Sequence, residues 1–178
     1  MNMIKNQLNK YRYFLKSVAT YSVLYPSANF VQQKYFRKTG EVDLAETKRF
    51  WIYGTFASAP LVYGWQSILN AYFPLVTRPY VILKVCLDQF VFAPVIIFLF
   101  YVGINALESK SAAEIKEELI EKYRMTYMSG MFYWSFVQAF NFRFVEFRYR
   151  TIYTSVMSFF WTIGLSYMKS LSLKVQPT

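Results

Sequence analysis

The chain has 178 residues, 55% of them hydrophobic and 21% aromatic, with 17% charged and a formal net charge of +10; soluble domains carry roughly 25% charged residues. That few polar side chains leave the surface of a small water-soluble domain uncovered, which points to a bilayer as the solvent. With no histidine and one cysteine, Cys86, the chain alone supplies no Ser-His-Asp triad, Cys-His pair, histidine metal site or internal disulfide framework. Its six glycines are scattered outside any phosphate-cradling motif, so neither an enzyme nor a cofactor is expected.

Residues 1–16 carry Lys5, Lys10, Arg12 and Lys16 without an acid, while Ile4, Leu8, Tyr11 and Leu15 recur at helical spacing. This basic N-terminal flank reads as an interfacial helix, part of an organelle-targeting signal, or simply the approach to a first span, and not as a secretory signal peptide. Further basic residues fall in short groups, such as Lys34, Arg37 and Lys38, then Lys48 and Arg49. Such groups suit loops at lipid headgroups, and because no recognition motif accompanies them no direct nucleic-acid binding is expected.

Four apolar regions follow, at residues 17–36, 50–73, 80–107 and 126–168. A span needs about 20 residues at 1.5 Å each, so the first three each suit one helix. The fourth suits two crossings split by "RFVEFRYR" at 143–150, or one continuous helix with Arg143, Glu146 and Arg150 on a shared face. Between the third and fourth lies a polar connector, residues 108–125. There Ser111 and Glu114 form a capping-box pattern and Ile115, Leu119 and Tyr123 mark one apolar face. The expected architecture is all-α: a polytopic transmembrane bundle of four to five membrane helices plus a short amphipathic surface helix, a single integral membrane domain over 1–178. With five crossings the two sides collect similar numbers of Lys and Arg, so the charges assign no orientation.

The stretch "KVCLDQFVFAP", residues 84–94, sets charges and amides in an apolar run. Asp or Lys at the centre of a span costs about 2.5 to 3.5 kcal/mol, so such residues stay where they are paired or hydrated. Lys84 and Asp88, four apart, are expected to pair, with Gln89 alongside. Pro94 is expected to kink the helix and free a carbonyl that needs a new donor; Pro26 and Pro60 lie in two other apolar runs. Asn29 and Gln33 share a helical face, as do Gln138 and Asn141. These polar residues either line a narrow aqueous path or hydrogen-bond helix to helix. Gly54 and Ser58 have the small-xxx-small spacing of close helix packing. Trp51, Trp65, Trp134 and Trp161 read as interfacial anchors or bundle filling.

These residues resemble the family named for the Mpv-seventeen protein and the twenty-two-kilodalton peroxisomal membrane protein, from about residue 20 to 170. "APLVYGWQSILNAYFP" carries its pattern through Pro60, Trp65, Leu69 and Pro74, and "LDQFVFAP" through Asp88, Gln89 and Pro94. "WSFVQAFNFRFVEFRYR" is similar to its most specific signature through Trp134, Gln138, Asn141, Phe142, Val145 and Arg150, and Trp161 falls where the family has another tryptophan. The chain departs from the pattern at Ser135 and Glu146, where prolines are usual, at Ala28 and Asn29 in place of Gly-Asp, and at Gln66 in place of tyrosine. Losing the two prolines is expected to straighten the last helix. The resemblance implies an integral protein of the mitochondrial inner membrane, with the peroxisomal membrane as the alternative. It implies no accepted catalytic residues; relatives are linked to channels for small solutes, to mitochondrial nucleotide and DNA maintenance and, in one branch, to mitochondrial ribosome assembly.

The leading functional expectation is a weakly selective channel for small polar metabolites supporting mitochondrial homeostasis. Lys84 with Asp88 and Glu146 with Arg150 would set its field, and Asn29, Gln33, Gln89, Gln138 and Asn141 complete the polar set of the bundle. The alternative is a non-transporting scaffold or assembly factor that docks a partner through the helix at 111–124. The expected partners are the lipid bilayer and small polar metabolites, with self-association into a homo-oligomer left open.

Overall fold

The computed structural model describes residues 2–37 and 39–175, with side chains from Leu8 to Ile163 except Lys38. Expectations resting on the side chains of Ile4, Lys5 and Lys38, and on the last residues of the fourth apolar region, lie outside these. Every regular element among the described residues is helical: α1 (Asn2–Phe36), α2 (Leu44–Tyr53), a π-helical turn (Gly54–Ser58), α3 (Ala59–Tyr72), α4 (Arg78–Leu87), a second π-helical turn (Asp88–Phe92), α5 (Ala93–Leu107), α6 (Ala112–Phe144) and α7 (Phe147–Val175). Each π turn joins its flanking helices into one rod, so the described chain makes five rods linked by short loops. Short links fold successive helices back antiparallel. Loops 73–77 and 145–146 therefore gather at one end of the bundle, and 37–43 and 108–111 at the other. α7 packs along α1 and also touches α3 and α6, while α6 lies against α4 and α5.

The two π turns share a cause. "GTFAS" and "DQFVF" are each followed by Ala-Pro, and a proline inside a helix lacks the amide hydrogen and crowds the carbonyl four residues back. The helix widens by one residue per turn just before it, so Ala59 N–H donates to Gly54 O and Ala93 N–H to Asp88 O, five residues back. Pro26 has no such turn; α1 runs through it. Gly54 also permits the close approach that its spacing predicted, since a Cβ there would lie 2.6 Å from Tyr25 Cβ on α1.

Caps fix the other ends. Asp43 accepts from Ala45 N–H at the start of α2 (2.7 Å), and the Ser111–Glu114 capping box forms in both directions at the start of α6. α5 ends in a Schellman turn, with Lys110 N–H on Asn105 O, Ser109 N–H on Ala106 O, and Ser109 at φ 59°.

Several boundaries correct the sequence reading. The polar connector is not a separate short surface helix: α6 runs unbroken for 33 residues from Ala112, because the capping box starts a helix and nothing before Val145 stops it. The basic flank is the beginning of α1 and not a separate element. The second rod starts at Leu44, ahead of residue 50, where Asp43 caps it. The fourth apolar region is two helices split within 143–150, as one of its two readings had it, and the break at Val145 (φ −91°, ψ 125°) overturns the other, a continuous helix with Arg143, Glu146 and Arg150 on one face. The break survives without a proline at Glu146, while α6 continues through Ser135, whose hydroxyl donates to Met131 O (2.6 Å).

Among the described residues, buried polar side chains outnumber buried hydrophobic ones, while Phe90, Phe132, Phe136 and Phe144 project outward. Water-soluble domains have the opposite arrangement. One helix there, the rod Arg78–Leu107, is long and apolar enough by length and composition to cross a membrane.

Candidate functional site

The second π turn places Asp88 in the interior, 3% exposed. Its carboxylate accepts from Trp65 Nε1 on α3 (3.0 Å), from Gln138 Nε2 on α6 (2.9 Å) and from Gln89 Nε2 beside it (3.1 Å). Trp65 is held for this by stacking on Phe92, with ring centres 5.1 Å apart and planes 4° from parallel. Gln138 Oε1 in turn accepts from Asn141 Nδ2 (2.8 Å), which also reaches Thr154 Oγ1 on α7 (3.2 Å). One line of hydrogen bonds thus crosses from α3 through the π turn and α6 to α7. Such buried networks tie neighbouring helices to one another.

Pro94 frees the carbonyl expected of it. In the π register, Gln89 O would accept from the amide of residue 94, which proline lacks; it accepts instead from Tyr127 Oη (3.1 Å), and Pro94 O accepts from Tyr123 Oη (3.0 Å). α6 therefore repairs the backbone that the proline disrupts.

The expected Lys84–Asp88 pair is absent. Lys84 Nζ donates to Leu75 O (3.0 Å), and no ion pair among the described residues includes Asp88. Helical side chains lean toward the N-terminus, so the long Lys84 chain extends back toward loop 73–77 while Asp88 turns to α3 and α6. The expected Glu146–Arg150 pair is absent too. Glu146 is exposed and pairs with Arg148. Arg150, 3% exposed, donates through Nε to Val145 O (3.0 Å) and through Nη2 to Phe142 O (3.3 Å), closing the C-terminal end of α6.

Asn29 and Gln33 belong elsewhere. Gln33 Nε2 donates to Asn29 Oδ1 (2.6 Å) and Asn29 Nδ2 to Glu46 Oε1 (2.8 Å), while Gln33 Oε1 takes the Asp43 amide. They clamp loop 37–43 onto α1, away from Asp88. The nine candidates thus separate into an inner network (Asp88, Gln89, Gln138, Asn141), a loop clamp (Asn29, Gln33), a basic pair (Lys84, Arg150) and an exposed residue, Glu146.

The sequence reading passed over Trp65 as a hydrogen-bond donor, Tyr127 and Thr154. A buried tryptophan N–H needs an acceptor, and Asp88 was the available one; Tyr127 lies one helical turn from Tyr123, already on the marked face. Also missed was Gln66, fully buried on the face of α3 shared with Val62 and Leu69. Neither its amide oxygen nor its nitrogen finds a protein partner, and Gln89 Oε1 and Asn141 Oδ1 are likewise unpartnered.

The pattern of the Mpv17 / PMP22 family matches residues 105–166, which include Gln138, Asn141, Arg150 and Thr154. The chain is 32% identical to an Mpv17-like protein of Xenopus laevis, over 92% of this chain and 80% of that protein. It is 29% identical to PXMP2/4 family protein 4 of Dictyostelium discoideum, over 93% and 90%, and 29% identical to the mitochondrial inner membrane protein Mpv17 of Caenorhabditis elegans, over 76% and 75%. No solved structure matches it. With a relative this similar along most of both sequences, the chain belongs to the Mpv17 / PMP22 family.

Proposed function

We propose that the chain is a polytopic bundle of the mitochondrial inner membrane, crossing it with its five rods, and that the Asp88 network lies on a weakly selective path for small polar solutes. The membrane reading is supported by the polar interior and aromatic exterior, and its location by the name of the nematode relative. The observation that carries the path is the set of buried amide atoms without a protein partner: Gln89 Oε1 and Asn141 Oδ1 within the network, and both amide atoms of Gln66 on α3. A buried polar atom without a partner costs about 1 to 3 kcal/mol, and contact with water or a polar solute relieves that cost.

Purified protein in planar bilayers is expected to conduct, and Asp88→Asn, which removes the carboxylate charge and keeps its shape, is expected to reduce preference for cations. Silent bilayers from protein shown by circular dichroism to be folded would overturn the path. A second reading, a non-transporting scaffold, is favoured by the three protein donors on Asp88, as a lock between helices requires. Under it Asp88→Asn lowers the thermal midpoint and changes no flux.

A further inference from the structure

At the end of the bundle formed by loops 73–77 and 145–146, two cations are buried together. Lys84 is 0% exposed and Arg150 3%. Lys84 Nζ lies 6.0 Å, and Arg150 Cζ 5.6 Å, from the centre of the same ring, Phe142. Among the described residues no carboxylate lies within ion-pair distance of either. Lys84 has three N–H donors and the single acceptor Leu75 O. Arg150 spends Nε and Nη2 on carbonyls, while Nη1 is buried without a partner. Burying like charges without an anion is costly, and pairing with one recovers that cost only if the donors are also satisfied.

We propose that Lys84 and Arg150 form a binding site for a phosphate-type anion, seated beneath loop 73–77 and bridging the two cations beside Phe142. Arg150 Nη1 supplies a free donor, and Lys84 supplies two donors beyond the one that holds Leu75 O. Phosphate oxygens suit this pair because they accept several charge-assisted bonds at once. The loop over the site is held by cations as well, through Lys84 on Leu75 O and Arg143 Nη1 on Val76 O (3.0 Å). The shared chemistry is a phosphoryl oxyanion, supplied either by a free phosphate or by an anionic lipid headgroup at the membrane surface. The site stands whether or not the Asp88 path conducts, since binding is read without any flux.

The test uses the full chain in a phosphate-free maltoside detergent, titrated in one arm with inorganic phosphate and in the other with phosphatidylglycerol. Thermal midpoints are followed in the wild type, Lys84→Met, Arg150→Gln and Arg150→Lys. A saturable rise with either titrant in the wild type is expected. Affinity should fall about tenfold or more in Lys84→Met and Arg150→Gln, as the loss of one charge-assisted bond implies, and be largely kept in Arg150→Lys. A response to inorganic phosphate assigns a free anion; a response to phosphatidylglycerol alone assigns a lipid headgroup. If both titrants leave the wild-type midpoint unmoved, or if Lys84→Met and Arg150→Gln respond as the wild type does, the site is overturned. Should Lys84→Met fail to fold by circular dichroism, the Arg150 pair of variants and the wild-type titration decide the matter.

Discussion

At the end of the bundle formed by residues 37–43 and 108–111, cations meet carboxylates. Arg37 binds Glu46 (2.7 Å), Arg49 lies between Asp43 and Glu108 (3.6 and 3.5 Å), and Lys110 bridges Glu108 and Glu118 (2.8 and 3.0 Å). At the end formed by 73–77 and 145–146, Lys84, Arg143 and Arg150 instead meet main-chain carbonyls. Of the ten Asp and Glu residues, Glu146 alone belongs to this second end. The first end is closed by ion pairs within the chain. The second is closed by cations that cap helix ends and loops, and it keeps positive charge uncompensated. Tallies of Lys and Arg alone miss the difference, because the acids create it.

The ion-paired end depends most on Glu46, whose carboxylate takes both Asn29 Nδ2 and Arg37 Nη2. Glu46→Ala removes the acceptor of the buried Asn29 Nδ2 and the ion-pair partner of half-buried Arg37, which keeps only a long bond to Gln33 Oε1 (3.5 Å), and should cost about 2 to 3 kcal/mol in chemical unfolding of the detergent-solubilised protein. Lys84→Met at the other end should, without added phosphate or anionic lipid, leave stability unchanged or raise it by up to about 1 kcal/mol. It removes a buried unmatched charge at similar volume, and the Leu75 carbonyl it abandons sits in an exposed loop. Losses of similar size in both variants would mean that the two ends are closed in the same way.

The Lys84 expectation also indicates what the sequence could and could not disclose. Periodicity and composition disclosed the helices, the capping box at Ser111, the close packing at Gly54 and the carbonyl freed by Pro94, because each depends on residues within about one turn. The shared faces of Asn29 with Gln33 and of Gln138 with Asn141 were legible for the same reason. Partner choice for Asp88 was not: i,i+4 spacing made Lys84 look available, but the carboxylate is satisfied by Trp65 and Gln138, 23 and 50 residues away. The π turn that aims it depends on Pro94, a residue read for its kink and not for its register. Eight of the nine polar residues are buried, all but Glu146, but their division into separate clusters was not legible, because linear order does not reveal the depth at which each rod carries its polar residues.

Acidification should act mainly on the ion-paired end. Burial pushes the Glu118 carboxyl up, but hydrogen bonds and charges from Lys122 and Lys110 together hold it below its ordinary value of 4.5. The Ser111 hydroxyl and amide lower Glu114, and the backbone amides of Glu46 and Ala45 lower Asp43 below 3.8. A carboxyl with a depressed value in the folded chain contributes stability above its unfolded value and loses it as the pH falls through its folded one. The thermal midpoint should therefore drop as the pH is taken below these ordinary values. Glu118→Gln should flatten part of that drop, whereas Lys84→Met should leave its shape unchanged.

The smallest effect concerns the turn that carries Lys110 into the ion-paired end. Ser109 occupies the left-handed position of the Schellman turn at φ 59°, where a Cβ crowds the carbonyl and glycine is the usual residue. Ser109→Gly relieves that crowding at the cost of a looser unfolded chain, so a net gain of about 0.5 kcal/mol is expected, seen as a slightly higher thermal midpoint. The gain should persist in high salt, because the turn is fixed by main-chain bonds from Ser109 and Lys110 to Ala106 and Asn105. The neighbouring pairs of Lys110 with Glu108 and Glu118 are half-exposed, and salt screens them. If the gain vanished in high salt, the ion pairs and not the backbone would be setting the turn, and the closure of this end would be electrostatic throughout.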